Sequence, residues 1–239
     1  MELGERIRRR FQKALVNYGL TEEGDRILVG LSGGKDSLCL LEMLAWRAGI
    51  NRPKIEVAAM HVRMENIAYE TDTDYLEQFC RSRGVKLYVR TTRFDPPGEG
   101  QQEKPVCFLC SWMRRKELFN AAQELGFNKI ALGHHQDDII HTALMNLFFQ
   151  SHFSTMPVRL KMRKMPLTII RPLCLETEAD IAAYAKEQNY EKLIKLCPNE
   201  RDTHRTTMRR LFDQVEAISG EARHSIWSAL EREGCLWSE

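Results

Sequence analysis

The chain has 239 residues, 43% of them apolar, which suits one sizeable core with a small appendage rather than several large domains. Its 35 basic and 33 acidic side chains leave a formal charge of +2, so the overall field does not announce a nucleic-acid binder; seven cysteines, an odd number over this length, do not announce a disulfide scaffold. No stretch approaches the ~18 apolar residues of a membrane span, and the first residues lack the apolar segment of a secretory signal, so the expectation is a cytoplasmic protein with reduced thiols and no membrane contact.

Taken in chain order, Leu3, Ile7, Phe11, Leu15 and Tyr18 recur every three to four residues and predict an N-terminal amphipathic helix within segment 1–23. Short apolar runs at Ile27–Leu31, Ile55–Val62, Lys86–Arg90, Lys129–Gly133 and Leu167–Arg171 predict five strands. Helical segments near Ser37–Ala48, Asp72–Arg83, Ser111–Leu125 and Asp138–Phe149 lie between them. This alternation builds an α/β fold, a doubly wound parallel five-stranded sheet with its ligand crevice at the carboxyl ends of the strands, here spanning 24–174. From 175 to 239 only helices are expected, at Glu178–Gln188, Arg205–Ile218 and Glu221–Glu233, packed on the same domain. The polar, proline-rich stretch Thr92–Pro105 reads as a flexible loop leading to the cysteines after it.

The sharpest motif follows the first strand: Gly30-Leu31-Ser32-Gly33-Gly34-Lys35-Asp36-Ser37. Adjacent glycines let backbone amides approach an anion, the next helix points its positive end at the same place, and Lys35 adds a cation. The spacing is neither that of the Walker loop nor that of the dinucleotide-binding turn. Cys107-Phe108-Leu109-Cys110 at a helix entry is the second signal, two thiols able to reach one metal centre or to pair. Gly133-His134-His135-Gln136-Asp137-Asp138 follows the fourth strand into a helix, so its side chains face the crevice; Asp137 and Asp138 suit Mg2+ binding or acid/base work, or helix capping for one of them.

Ser32–Ser37 resembles the PP-loop of ATP pyrophosphatases. Together with Cys107-x-x-Cys110, Leu132–Asp138 and Arg171-Pro172-Leu173, it makes the chain similar, from about Gly24 to Leu211, to the tRNA 2-thiocytidine synthetases of that superfamily. The resemblance implies ATP-dependent thiolation of a tRNA base: adenylation of a carbonyl oxygen, then its replacement by sulfur. It implies that Gly30 to Ser37, Gly133 and His134 bind nucleotide, with Asp36, Asp137, Asp138, Cys107 and Cys110 in the chemistry. His61, ending the second strand, is a further candidate for the adenosine. The resemblance also implies a 4Fe-4S cluster on Cys107, Cys110 and Cys197. The family's second paired-cysteine motif is reduced here to Leu193-Ile194-Lys195-Leu196-Cys197. Zinc with His204 as a fourth ligand, or a metal-free dithiol carrying a persulfide, remains open on chemistry alone. Cys39, Cys80, Cys174 and Cys235 lack spaced partners and read as small packed residues.

Basic residues cluster at Arg6–Lys13, Arg114–Lys116, Arg159–Lys164 and Arg201–Arg210, and would frame one polyanion if the fold unites them. Arg114, Arg163, Lys164, Arg205 and Arg209 are the candidate tRNA contacts. Other expected partners are a sulfur donor such as a cysteine desulfurase and a second copy in a homodimer. The runner-up readings are a PP-loop ligase that attacks with an amine, a sulfurtransferase acting on another base or a small molecule, and a non-catalytic nucleotide- or RNA-binding protein.

Overall fold

A computed structural model describes all residues except 1, 66, 70–72, 94–105, 192–194, 197–203 and 239, and gives the backbone alone for 68, 69, 106, 195, 196, 204 and 205. Most of the loop 92–105 and Cys197 therefore lie outside the described residues, as do the side chains of His204 and Arg205.

The chain opens with α1 (Leu3–Asn17), whose buried stripe Ile7, Phe11, Ala14 and Leu15 follows the expected helical period. Then come β1 (Asp25–Gly30), α2 (Lys35–Ala48), β2 (Ile55–Met64), β3 (Ala68–Tyr69), α3 (Asp74–Ser82), β4 (Lys86–Thr92), α4 (Val106–Glu124), β5 (Lys129–Ala131) and α5 (Gln136–Gln150). The remainder is β6 (Arg159–Lys161), β7 (Thr168–Ile170), α6 (Glu178–Glu187), β8 (Lys195–Leu196), α7 (His204–Ile218), α8 (Ala222–Arg232) and β9 (Trp237–Ser238).

The main sheet runs β4-β2-β1-β5-β7-β6-β9. Its first five members, the five strands expected from the sequence, are mutually parallel; β6 is antiparallel to β7, and β9 extends that edge. The two extra strands escape a pattern reading because three- and two-residue pairings at an edge carry too short an apolar alternation to register. β3 and β8 form a separate antiparallel pair, Ala68 opposite Leu196 and Tyr69 opposite Lys195.

Alternation along β1 sorts the core into two layers. Ile27, Val29 and Leu31 join the cluster built from α1, α2, α3, α5, α6, α7 and α8, whereas Leu28 points the other way, with Met60 and Ile130, onto Leu118, Ala121 and Ala122 of α4. One face is thus deeply covered and the other is closed mainly by α4. The chain leaves β1 through α2 toward β2 and returns from β4 through α4 to β5, so strand order reverses between β1 and β5. A crevice opens at their carboxyl ends.

Candidate functional site

Two cavities meet at that crevice and share Gly30, Ser32, Leu132 and His134. On the helix-rich side is a polar cavity of about 490 Å³, and on the α4 side an apolar one of about 210 Å³.

The polar cavity is organised by the turn between β1 and α2. Gly33 has φ +82°, a conformation other residues adopt only with strain. The Ser37 hydroxyl donates to the Gly34 carbonyl (2.9 Å) and accepts from the Ser32 amide (3.2 Å), so one buried side chain laces both ends of the loop. Gly133 lies against the first turn of α2: a Cβ there would come within 3.0 Å of the Asp36 carbonyl carbon and 3.1 Å of the Ser37 amide nitrogen. This close approach requires glycine and brings Lys35, Asp36, His135 and Asp138 into one enclosure.

His135 is buried among carboxylates, its Nδ1 3.5 Å from Asp137, its Nε2 3.5 Å from Asp138 and 3.9 Å from Asp36. Burial pushes its pKa down, but the three carboxylates outweigh this and hold it above the ordinary histidine value. Asp138 also accepts from the His135 amide at 3.2 Å, closing the start of α5. Asp137 behaves differently from its neighbour. It accepts from the Glu178 amide (2.7 Å), pairs with Arg223 (2.9 Å) and does not line the cavity. Burial raises its pKa, yet His135, the Glu178 amide and Arg223 together hold it well below the usual carboxylate range. Asp36 and Asp138 face the cavity; Asp137 is a strut that fixes the start of α6.

The apolar cavity lies between β2 and α4, with Met60, Val62, Leu118 and Phe119 in its wall. His61 Nδ1 is 2.7 Å from the Leu31 carbonyl, and Nε2 is buried with no hydrogen-bond partner among the described residues. Burial lowers the His61 pKa despite that carbonyl, so the ring is neutral, protonated on Nδ1 and an acceptor at Nε2. His134, shared by both cavities, has its Nδ1 3.3 Å from Arg171 Nε, which leaves the ring proton on Nε2. Arg171 is buried, also bonds the Pro157 carbonyl, and is pushed down to about 10 by burial and by Arg115.

Cys107 and Cys110 fall inside the first turns of α4, which begins at Val106 rather than at Ser111. Cys107 is exposed; Cys110 is buried beside Met64, with Ile67 packed against both. Among the described residues no three metal-ligating side chains converge. The backbone pairing of Leu196 with Ala68 nonetheless runs the chain that leads to Cys197 alongside the segment that covers Cys110. Cys39, Cys80 and Cys174 are buried and Cys235 half-buried, as packed residues are.

Among the described residues, members of the basic clusters lie in different places. Arg6 and Arg10 are committed to Asp180 of α6, at 2.5 and 2.6 Å. Arg114 lines the apolar cavity and Arg209 the polar one. Arg163 and Lys164, by contrast, sit in the turn that precedes β7. Because β7 starts level with Lys129 at the amino end of the parallel strands, this turn is at the opposite end of the sheet from the crevice. Sequence reasoning missed Glu178, Thr206, His141 and Arg209 as cavity residues and Arg171 as the support of His134. His141 follows Asp138 by one turn of α5, and Arg171 belongs to the Arg171-Pro172-Leu173 motif, whereas Glu178, Thr206 and Arg209 are brought in by long-range packing, with only the Thr177 helix cap before Glu178 as a local trace.

A PP-loop domain model matches residues 3–215. The tRNA-cytidine(32) 2-sulfurtransferase of Nitrosospira multiformis is 34% identical over 238 residues, covering 96% of this chain and 78% of the relative. That of Stutzerimonas stutzeri is 30% identical over 233 residues, covering 96% and 84%, and that of Bordetella petrii 32% identical over 239 residues, covering 97% and 72%. Among solved structures, the U34-tRNA thiolase NcsA of Methanococcus maripaludis with its [4Fe-4S] cluster superposes with a TM-score of 0.74 at 21% identity, over 96% of this chain and 78% of that one. The glycine turn, the close approach at Gly133, the two-layered parallel sheet and these relatives agree: the chain belongs to the PP-loop family, with the tRNA-cytidine(32) 2-sulfurtransferases among its near relatives.

Proposed function

We propose that the chain is an ATP-dependent, AMP-forming tRNA sulfurtransferase that replaces the C2 carbonyl oxygen of a cytidine with sulfur. The observation that carries this reading is the shared wall of the two cavities. A polyphosphate-sized polar site at a helix N-terminus adjoins an apolar site of aromatic-base character, and the helix that closes the latter carries the paired cysteines.

In this reading the triphosphate occupies the polar cavity against Ser32–Ser37 and Lys35, and adenine enters the apolar one, where His61 Nε2 accepts from its exocyclic amine. Asp36 and Asp138 supply hard oxygen donors for Mg2+, whereas Asp137, bound to Arg223 and the Glu178 amide, does not reach it. The base oxygen attacks the α-phosphorus and pyrophosphate leaves. Sulfur then attacks the same carbon, and AMP departs carrying the former base oxygen. The donor set of Cys107, Cys110 and Cys197 suits an iron–sulfur cluster: three thiolates leave one metal position open. Cys197 lies outside the described residues, and its place in this set rests on the sequence. When bound, such a cluster supplies a carrier for the incoming sulfur. Arg114 and Arg115 near the apolar cavity favour an RNA backbone entering from the α4 side. One core cluster joins α1, α2, α3, α5, α6, α7 and α8, which favours treating 1–23, 24–174 and 175–239 as parts of one folding unit.

The test follows α-labelled ATP in the presence of tRNA and a sulfide source. Labelled AMP appearing in step with thiolated tRNA is expected; labelled ADP without AMP would overturn the reading.

A further inference from the structure

Glu178, the first residue of α6, stands across the polar cavity from the PP-loop. Its two carboxylate oxygens take different cations: Oε1 is 3.5 Å from Lys35 Nζ and Oε2 is 2.9 Å from Arg209 Nη1. All three line the same cavity. Arg209 is delivered by α7, where Thr206, one turn before it, lines the cavity as well. On the same helix Met208 and Phe212 are buried, the Phe212 ring edge-on to His141 of α5 at 5.9 Å, so α7 cannot withdraw without exposing apolar surface. Arg209 is therefore held at the rim of the cavity.

A carboxylate facing the two cations of a phosphate site is an electrostatic contradiction once a polyphosphate enters. The Glu178 backbone is pinned by the hydrogen bond its N–H donates to the Asp137 carboxylate (2.7 Å), so the side chain is the part that can yield. The Lys35, Glu178 and Arg209 side chains are 32%, 30% and 54% exposed, and pairs this solvated hold together weakly. Arginine, whose planar fork matches phosphate oxygens, gains more from a polyphosphate than from this carboxylate.

We propose that Glu178 is an exchangeable counter-ion: without nucleotide it holds Arg209 and shares Lys35 with Asp36, whose Oδ1 is 3.1 Å from Nζ, and the β- and γ-phosphates of a bound nucleoside triphosphate displace it, making Arg209 a nucleotide ligand supplied by α7. This rests on the reading that the polar cavity takes ATP. It reassigns Arg209 from the RNA to the nucleotide.

The experiment is calorimetric titration of Mg-ATP, and separately of AMP, into the full-length wild type, R209A, R209K and E178Q, without RNA; RNA binding without ATP is measured on the same proteins. Expected are an ATP affinity roughly tenfold lower in R209A, partly restored in R209K, and several-fold higher in E178Q, with AMP affinity changed less in each variant. Nucleotide-free RNA binding by R209A should stay within twofold of wild type. An R209A protein that keeps wild-type ATP affinity overturns the inference, and loss of RNA binding alone would return Arg209 to the RNA. Weaker ATP binding by E178Q also contradicts it. Failure of the wild type to bind ATP would bring down the reading of the cavity, and this inference with it, whereas the first outcomes leave that reading intact.

Discussion

The two faces of the sheet solve different problems with different materials. On the helix-rich face, layers behind the surface supply partners for buried charge: Asp137 has Arg223, Glu176 has Arg10, and His135 sits among carboxylates. On the other face the core is closed mainly by α4; its cavity is apolar, and Phe108 and Trp112 stand 51% and 49% exposed beside the cysteine pair. A site that must orient highly charged phosphates needs fixed counter-charges, which only a deep layer can keep in place without water competing. A site that must admit a base and a sulfur carrier needs an accessible apolar wall. In the proposed reading, phosphate activation belongs to one face, and adenine seating and sulfur delivery belong to the other.

Breaking the deep face should cost most. Replacing Asp36 by Ala, or Gly133 by Val, should lower AMP release by roughly a thousandfold, the order expected when a positioned charge or the loop that positions it is lost. The Val side chain acts through its clash with the backbone of α2, so tRNA binding should persist; AMP release within tenfold of wild type would show the PP-loop is not the site of activation. Cys110→Ser should reduce thiolation by roughly a hundredfold while ATP affinity stays within twofold, because Cys110 lines neither the polar cavity nor the apolar one. Equal loss of ATP affinity would erase the division between the faces.

A smaller effect probes the charge store of the deep face. The Glu176 side chain is wholly buried, and burial pushes its carboxyl from the ordinary 4.5 up to about 7, against the pull of Arg10. A carboxyl raised on folding favours the folded state below its unfolded pKa and loses that contribution as pH rises through the folded value. Between pH 4.5 and 7 this amounts to about 3 kcal/mol, which Glu176→Gln should abolish. Urea unfolding across that window measures it; parallel pH profiles for wild type and variant would refute it. Least of all, Arg163→Ala with Lys164→Ala should change thiolation less than twofold. Their turn is at the amino end of the strands, away from both cavities, and a steep loss would mean that the RNA wraps the whole sheet.

Most of the deep face's first layer was legible in the sequence because its signals are local. A glycine turn, a helix start and an apolar run lie within a dozen residues, and their consequences at Ser37 and Gly133 are backbone geometry. The five parallel strands were legible for the same reason. What was not legible is whatever joins distant segments. Lys35 and Glu178 are 143 positions apart, and nothing in a basic helix says whether its arginines face a nucleotide or an RNA. Arg163 and Lys164 show the converse: a cluster that reads like Arg114–Lys116 is carried to the far end of the sheet by the β6–β7 hairpin, which has almost no pattern of its own. Likewise Asp137 and Asp138 are adjacent and chemically identical, yet helix periodicity turns one into the cavity and the other toward Arg223.

The central claim is that activation on the deep face transfers the base oxygen to the nucleotide before sulfur arrives from the α4 side. A tRNA whose target cytidine carries 18O at C2 tests this most directly, with mass spectrometry of the AMP released during thiolation. One 18O atom in each AMP phosphate is the predicted result. AMP without the label, with the 18O recovered in water, would contradict adenylation of the base and with it the division of labour between the two faces.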